Sequence, residues 1–530
     1  MANEATASTW RSRCEYIPGA TLVLAVTGTL GRIITLITQT IIAREFGLSV
    51  FSDAYFAMEK VPELLISFVA AGFSAAFIPM FAEYRVSQGE DEAWRFASSF
   101  LFLSLIVSLA FTLVTVLGAA PLVSVIAPGF QGDARAISIR LLRIMALSVM
   151  FLGVNAGLLG LLQSYGEFFV PEWGRIAYNC ILLGAAWTLS RGAGVYALAW
   201  GIVLAAIIWL LIQIVGVVRR GALRLTWVID HPGTRRAVRK LLPFVIAVSG
   251  VEITFMIDRM VASGLSEGSI AALNYASRIV LLPVGLFAIP LRTAFYPTLS
   301  NLAAQSRLRK LGETTLSGLR MLLFVVVPAA VGLAALRVPI TRLLFERGAF
   351  DSLATRHTSE ALVLYAAGVP AVSAIFFLVT VYLSLGDPLT LIGFHAISWV
   401  INAVLSVLLS RRWGHQGIAG ATAIAMNLTV ILLIFFLKQR RLRSLSVKPL
   451  VRSLSKNLLV SVMMGSLLLF LPSKVNTLLV QWRLNLQLLH VAILVPVGAL
   501  AYLGLATVLG ADELVTLGTT LQRFVKSRGP

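Results

Sequence analysis

Long apolar runs recur along the whole chain, and short polar or basic segments separate them. Most runs hold about 20 residues, the length that an α-helix needs to cross the hydrocarbon core of a bilayer. Backbone polar groups in lipid must be paired within the segment that carries them, so each run is predicted to be a helix. The predicted spans, fourteen in all, are 18–43, 57–84, 96–120, 137–163, 171–189, 194–218, 241–263, 269–298, 316–336, 358–385, 388–410, 416–437, 453–472 and 486–509.

The composition of the chain points to the same class. Hydrophobic residues make up 58% of the chain and charged residues 13%, whereas a soluble domain carries about 25% charged residues. The net charge is +20, but the basic residues lie mostly between the spans, which favours contact with anionic lipid over nucleic acid. The two cysteines, Cys14 and Cys180, predict no disulfide framework and no metal cluster. We therefore predict an all-α integral membrane protein whose first partner is the bilayer.

Lysine and arginine are distributed unevenly between the loops. The loops after the sixth, eighth and twelfth predicted spans are rich in them, and the loop at 264–268 has none. The positive-inside rule then places both termini in the cytoplasm, and the basic residues on the opposite side do not reverse the balance. The apolar run after Arg11 and Arg13 lacks a small-residue cleavage site, so a retained first span is expected.

Short motifs recur at nearly constant spacing. Ala76-Phe77-Ile78-Pro79 returns as Ala294-Phe295-Tyr296-Pro297 after 218 residues, and Gly166-Glu167 returns as Gly386-Asp387 after 220. Matches in this order predict two lobes of six helices, and an even number makes the two repeats parallel. The predicted organisation is an N-lobe at 1–220, a basic cytoplasmic linker at 221–237, a C-lobe at 238–441 and a final helix pair at 442–530. Parallel lobes around a central cavity suggest transport by alternating access.

Several ionisable residues fall inside the predicted spans, where a charge is costly and marks a functional site by default. Arg32 and Arg278 have no carboxylate three or four residues away, so a local ion pair does not neutralise either of them. We interpret both as lining a cavity, although a cross-helix partner such as Glu252 or Asp258 remains an alternative for Arg278. Guanidinium groups bind phosphate oxygens bidentately, which favours a phosphate or pyrophosphate ligand.

Asp258 and Arg259 are adjacent in the sequence and therefore point in different directions on a helix. Asp258 is predicted to face a site, and Arg259 either joins that site or extends towards the membrane surface. The five histidines are scattered and predict no metal site. No phosphate-binding glycine loop, nucleophile elbow or paired-carboxylate motif is present, which favours a secondary transporter over an ATP-driven pump or an enzyme.

Five stretches of the sequence resemble a known family. They are Ile42–Gly47 with Asp53–Phe56, Phe77–Arg85, Ala127–Phe130, Asp258-Arg259 with Glu267–Ala276, and Phe345–Asp351. In these stretches the chain resembles the MurJ/MviN family of flippases for lipid-linked peptidoglycan precursors, within the multidrug/oligosaccharidyl-lipid/polysaccharide (MOP) exporter superfamily. The resemblance covers nearly the whole chain.

The resemblance implies fourteen helices, a cationic cavity, and a final helix pair that forms a groove for the polyprenyl tail. Arg32 and Arg278 match cavity arginines of the family. Arg259, Asn274, Gln39 and Asp53 complete the predicted substrate contacts, and Asp258, Asn402 and Thr422 match a sodium site that some members have. The chain also departs from the family: Thr38 and Gln39 replace an Arg-Asp pair, and Ser406 replaces a sodium-binding acid.

The resulting hypothesis is a flippase, not an enzyme, in the bacterial cytoplasmic membrane. It would move a polyprenyl-pyrophosphate-linked saccharide, with lipid II as first choice, from the inner to the outer leaflet. Sodium or the membrane potential would drive it without any other cofactor, and envelope-synthesis proteins are candidate partners. The alternatives are a flippase for an exopolysaccharide unit, a cation-coupled exporter of small amphipathic compounds, a membrane-embedded enzyme, and a scaffold without transport activity.

Overall fold

A computed structural model describes residues 27–72, 77–219, 226, 228, 231–238, 245, 249–442, 446–481, 486–510 and 513–514. These residues are helical throughout, with turns between helices and no β-strand, as the sequence predicts. Among them, eight helices are long and apolar enough to cross a membrane, and a bent helix pair supplies a ninth if it forms one span. Three predicted spans, 18–43, 57–84 and 241–263, run into residues outside these ranges. The chain divides into two compact units, Met1–Ser249 and Gly250–Pro530.

The first unit consists of a helical series with one large aromatic core. Phe77 stacks with Phe81 and Phe96 at ring-centroid distances of 5.6 and 5.4 Å, and Trp94 meets the edge of Phe81 at 6.4 Å. The buried residues of this core come from five helices of the unit. The helices are α1 (27–46), α2 (Val50–Gly72), α3 (Ile78–Ser87), α4 (Glu90–Leu117), α5 (Ala119–Ile126), α6 (Gly132–Ser164), α7 (Phe169–Gly184), α8 (Ser190–Ala193), α9 (Val195–Arg219) and α10 (232–238).

The second unit contains a longer helical series. Its helices are α11 (Gly250–Ala262), α12 (Ser269–Pro283), α13 (Ile289–Ala304), α14 (Leu308–Ala335), α15 (Arg337–Phe345), α16 (Ser352–Ala366), α17 (Val369–Ser384), α18 (Pro388–Phe436), α19 (Lys448–Gln481) and α20 (Leu486–Val508).

The predicted span 358–385 consists of two helices, because α16 and α17 meet at an angle of 49°. Pro370 stands in the first turn of α17, where it cannot donate a hydrogen bond to the preceding turn. The predicted break between 385 and 388 is present, since α17 ends at Ser384 and α18 begins at Pro388.

The offset between helix bounds in the two units equals the offset between the repeated sequence motifs. Helix α4 (Glu90–Leu117) and helix α14 (Leu308–Ala335) are offset by 218 residues at both ends. Gly194, between α8 and α9, and Gly414, inside α18, are offset by 220 and share one backbone conformation. Their φ and ψ angles are 60° and −144° for Gly194, and 55° and −137° for Gly414. Each glycine interrupts a helical run at the equivalent place in its unit.

An acidic side chain accepts a backbone hydrogen bond at the amino end of α7, and another does so at the amino end of α18. The Glu167 carboxylate accepts a hydrogen bond from the Phe169 amide at 3.0 Å, and Asp387 accepts one from the Thr390 amide at 3.3 Å. Arg441 also donates to Asp387, at 2.7 Å. Burial opposes ionisation of Asp387, but the hydrogen bonds from Arg441 and Thr390 outweigh it and hold the pKa of this carboxyl below its ordinary value.

The last two helices pack against α14. Phe324 of α14 contacts the Tyr502 ring of α20 at 5.3 Å, and the Tyr502 hydroxyl lies 2.8 Å from the Phe324 carbonyl oxygen. The Asn457 amide of α19 donates to the Leu323 carbonyl oxygen at 2.7 Å. Buried Val460, Met464 and Leu468 of α19 and Leu494 of α20 complete this apolar contact.

We expect Gly414→Ala to lower the stability of the protein by about 1–3 kcal/mol, because a side chain strains the backbone at this φ and ψ. The matched control is Gly420→Ala in the same helix, where a Cβ would meet its nearest neighbour, Leu364, at an ordinary 3.9 Å. Thermal unfolding of the purified variants in detergent measures the difference. Equal melting temperatures for the two variants would contradict the strain at Gly414.

Candidate functional site

A buried carboxylate on α11 is the centre of a polar network in the second unit. The hydroxyl of Thr422 lies 2.7 Å from both Asp258 carboxylate oxygens, and the hydroxyl of Tyr365 donates to Oδ2 at 2.8 Å. The Asn402 amide donates to Oδ1 at 3.0 Å. Asp258 is 1% exposed and Asn402 is 0% exposed, so neither side chain reaches the surface. The carboxylate is held by three hydrogen-bonding side chains from two other helices.

Two close approaches of α18 bring these groups together. A Cβ at Gly250 would lie 2.3 Å from His395 Nδ1, so the glycine allows the first half of α18 to pack tightly on α11. The Trp399 indole nitrogen donates to the Gly250 carbonyl oxygen at 2.9 Å. Because Gly414 turns the chain, the second half of α18 folds back and presents Thr422 to the carboxylate that Asn402 of the first half also reaches.

Ser406 extends the network by one turn, since its hydroxyl donates to Asn402 Oδ1 at 2.7 Å. The group therefore collects oxygen atoms from Asp258, Thr422, Asn402 and Ser406, and these are the ligand types that hard cations prefer. In the arrangement observed, hydrogen bonds satisfy these atoms. The residues predicted as a sodium site do meet in space, and their donor chemistry suits a hard monovalent cation.

A separate pair connects α11 to α12. Arg259 Nη2 donates to Asn274 Oδ1 at 2.8 Å, and its Nη1 donates to the Phe255 carbonyl oxygen at 3.2 Å. Arg259 is 4% exposed and Asn274 is 1% exposed. Arg278 lies one turn after Asn274 on the same face of α12 and is partly exposed. The structure thus places two arginine side chains near Asn274, one fully buried and one accessible.

The first unit holds the other three predicted substrate residues. Arg32 is partly exposed on α1, and it makes no hydrogen bond or ion pair with another residue that the structure describes. Gln39 is 4% exposed, and its Oε1 also has no hydrogen-bond partner among those residues. Asp53 is buried in the first turn of α2, where a negative charge complements the amino end of a helix.

The sequence interpretation missed three residues on α7 that lie beside α1. Arg175 forms an ion pair with Glu172, and the Thr27 hydroxyl donates to the same carboxylate at 3.1 Å. A Cβ on Gly31 would lie 3.3 Å from the Asn179 amide, so small residues on α1 allow this approach. The positive charge of Arg175 adds to that of Arg32. The Glu172–Arg175 spacing within one apolar run was the available signal.

Two histidines predicted as isolated are neighbours in the fold. The possible ligand atoms of His357, Glu360 and His415 all lie within 4.8 Å of one another. Glu360 is engaged by Arg356 at 2.9 Å and by Gln416 at 2.7 Å. Residue spacing could not predict this group, because the turn at Gly414 brings His415 against α16.

Solved structures identify the class to which this fold belongs. A structure described as lipid II flippase MurJ in an inward closed conformation matches 93% of this chain and 100% of its own, with a TM-score of 0.77 and 24% identity. An inward-facing multidrug resistance MATE family transporter of the MOP superfamily matches 80% of this chain and 98% of its own, with a TM-score of 0.65 and 18% identity. The fold is therefore the one that these two solved structures share.

The amino-acid sequence identifies the family. The family model for lipid II flippase MurJ matches residues 42–490. The lipid II flippase MurJ of Burkholderia cenocepacia is 27% identical over 438 residues, which cover 80% of this chain and 83% of that protein. The probable lipid II flippase MurJ of Rhizobium tropici is 30% identical over 462 residues, covering 85% and 86%. The chain belongs to the MurJ family, which confirms the resemblance seen in its motifs.

We expect Thr422→Val to destabilise the protein by about 1–3 kcal/mol, because the buried Asp258 carboxylate loses a hydrogen-bond donor. Thr429→Val is the matched control: Thr429 is equally buried on α18, but its hydroxyl bonds only to the Ala425 carbonyl oxygen of its own helix at 2.7 Å. Thermal unfolding of both variants provides the comparison. If Thr429→Val proves as harmful as Thr422→Val, the Asp258 network does not carry this stability.

Proposed function

We propose that this protein is a lipid II flippase that moves its substrate from the inner to the outer leaflet by alternating access, for peptidoglycan synthesis. The observation that carries the proposal is the family match, which spans residues 42–490 and therefore includes most of both units. The fold of a MOP-superfamily transporter supports transport rather than catalysis.

The substrate of such a flippase carries a pyrophosphate, and Arg32 and Arg278 are the cations proposed to bind it. Arg32 supports this role because it is an accessible guanidinium in an apolar helix with no anionic partner among the described residues. A charge in that position is costly unless a ligand or water satisfies it. Asn274, one turn before Arg278 on the same face of α12, is proposed to support Arg278 together with Arg259 of α11, which donates a hydrogen bond to Asn274. Gln39 and Asp53 are the remaining proposed contacts.

The tail of the substrate is proposed to lie against the last two helices. A cavity of about 440 Å³ lies between α14, α19 and α20, and its lining side chains are apolar apart from Tyr502. Apolar surface of this kind suits a polyprenyl chain, because burying each methylene group contributes about 0.8 kcal/mol.

The membrane architecture that we propose has fourteen helices, with two six-helix repeats and a final pair. The matching bounds of α4 and α14, and the matching conformations of Gly194 and Gly414, support the repeat. Gly414 also divides α18 into two spans. We propose both termini in the cytoplasm and a location in the bacterial inner membrane, with envelope-synthesis proteins as partners.

A second candidate substrate is an exopolysaccharide unit on the same kind of lipid carrier. The observation that favours it is the neutral, buried Gln39 at a position where the family pattern has charge. The polyprenyl-pyrophosphate part of the substrate, and hence the proposed use of Arg32 and Arg278, is common to both candidates.

The test is growth of bacterial cells depleted of their own lipid II flippase. We expect the wild-type chain to restore growth and the variant Arg32→Ala with Arg278→Ala to fail, because losing two charge-assisted contacts costs more than about a hundredfold in binding. The control is Arg411→Ala with Arg412→Ala, which removes two exposed charges from α18. A well-expressed wild-type chain that does not restore growth excludes lipid II as substrate. A double variant that grows normally excludes the pyrophosphate site.

We propose sodium at Asp258, Asn402 and Thr422, or the membrane potential, as the driving force. If sodium binds there, the wild type should have a higher melting temperature in a sodium buffer than in a potassium buffer of equal ionic strength. The stabilisation reaches about 2.7 kcal/mol when sodium is present at a hundred times its dissociation constant. Asp258→Asn should abolish the shift, and Asp387→Asn, which alters an acid outside the network, should retain it. An identical shift in Asp258→Asn would place sodium elsewhere.

A further inference from the structure

A basic cavity lies where the start of α19 meets the end of α20. Its volume is about 430 Å³, and four basic residues line it: Arg320 of α14 and Lys448, Arg452 and Lys456 of α19. The three residues of α19 are spaced by four, so they project from one face of the helix. All three are exposed, and their side chains make no hydrogen bond or ion pair to other residues that the structure describes.

One carboxylate belongs to the same cavity and is already neutralised. Arg320 and Glu513 form an ion pair at 2.6 Å, and the Ser453 hydroxyl donates to Glu513 at 2.7 Å. Burial opposes ionisation of Glu513, but these contacts outweigh it and hold the pKa of this carboxyl below its ordinary value. The negative charge of Glu513 therefore offsets the positive charge of Arg320. Among the residues that the structure describes, three positive charges therefore remain without a compensating partner in this cavity.

The basic cavity adjoins the apolar cavity of α14, α19 and α20. Both are lined by Phe324 and Tyr502, and Tyr502 is the side chain at which the polar lining gives way to the apolar one. The Tyr502 hydroxyl is fixed at 2.7 Å from Asn457 Oδ1, on the polar side. The two cavities together match a ligand with an anionic head and a long apolar tail.

We propose that the basic cavity is a docking site for the diphosphate head of a polyprenyl-diphosphate lipid, which binds there before it is moved. This inference rests on the proposed function and adds a site to it. The charge surplus of three favours a diphosphate over the single phosphate of a common phospholipid. The adjoining cavity accepts the apolar chain of the same molecule. In the proposed orientation the site faces the cytoplasmic leaflet, where basic pockets between helices recognise anionic head groups.

Photolabelling tests the site. The probe is undecaprenyl diphosphate with a diazirine near its head, added to the full-length protein in phosphatidylcholine nanodiscs, and labelled peptides are mapped by mass spectrometry. The variant is Lys448→Gln with Arg452→Gln and Lys456→Gln. Its control is Arg307→Gln with Lys310→Gln and Lys438→Gln, which removes three exposed basic residues outside the cavity.

We expect labelling of the α19 and α20 peptides to fall about a hundredfold in the cavity variant, because each basic residue contributes about fivefold to binding of an anionic lipid. The control should label as the wild type does. Unlabelled undecaprenyl diphosphate should compete, and undecaprenol should not. Unchanged labelling in the cavity variant overturns the proposal. Equal competition by phosphatidylglycerol also overturns it, because the site would then be a general one for anionic phospholipids.

The outcome is separable from that of the proposed function. We expect Arg32→Ala with Arg278→Ala to keep the cavity labelling while it fails to restore growth. Cavity labelling that persists in a wild-type chain unable to restore growth supports the docking site and rejects lipid II transport. If the wild-type chain restores growth but the cavity variant is labelled as strongly as the wild type, the docking site is rejected and the proposed function is not.

Discussion

The Asp258 carboxylate imposes the strongest physical constraint on the second unit. A carboxylate that is 1% exposed within an apolar helix bundle is tolerated only when hydrogen-bond donors surround it. Thr422, Asn402 and Tyr365 meet that need, and they come from α16 and both halves of α18. Satisfying this one group therefore holds α16 and both halves of α18 in register with α11. The same concentration of oxygen atoms gives the unit its candidate cation site.

Two glycines, 220 residues apart, allow the chain to reverse direction between helices, and the Asp258 network depends on the second of them. Gly194 and Gly414 adopt backbone angles that a side chain would strain, and each ends a helix so that the chain can fold back. In the second unit, the turn at Gly414 brings polar groups onto a buried carboxylate. In the first unit the corresponding polar residues near α1 are Arg175 and Glu172, which pair with each other. The described polar contacts of the two units therefore differ in chemistry.

The proposed phosphate contacts share a physical logic with the basic cavity of α14, α19 and α20. An apolar chain in lipid tolerates uncompensated cations when an anion or water can reach them. Arg32 is partly exposed on α1, whereas Lys448, Arg452 and Lys456 lie at the start of α19, a helix long and apolar enough to cross a membrane. A diphosphate head suits the chemistry of both kinds of site. The apolar cavity that adjoins the basic cavity suits the tail of such a lipid.

The sequence by itself determined the helical class, the break before Pro388, the repeat spacing and the family, because apolar length, proline and local motifs act within a few residues. It also singled out Asp258 as a charge inside a predicted span, and it named Asn402 and Thr422 through resemblance. The tertiary structure alone decided that Arg259 pairs with Asn274 and that Tyr365 reaches Asp258 across 107 residues. It also revealed Arg175 beside α1 and the grouping of His357 with His415. Such contacts depend on which helix faces meet. Helix packing and the turn at Gly414 decide which faces meet, and no single stretch of sequence encodes that packing.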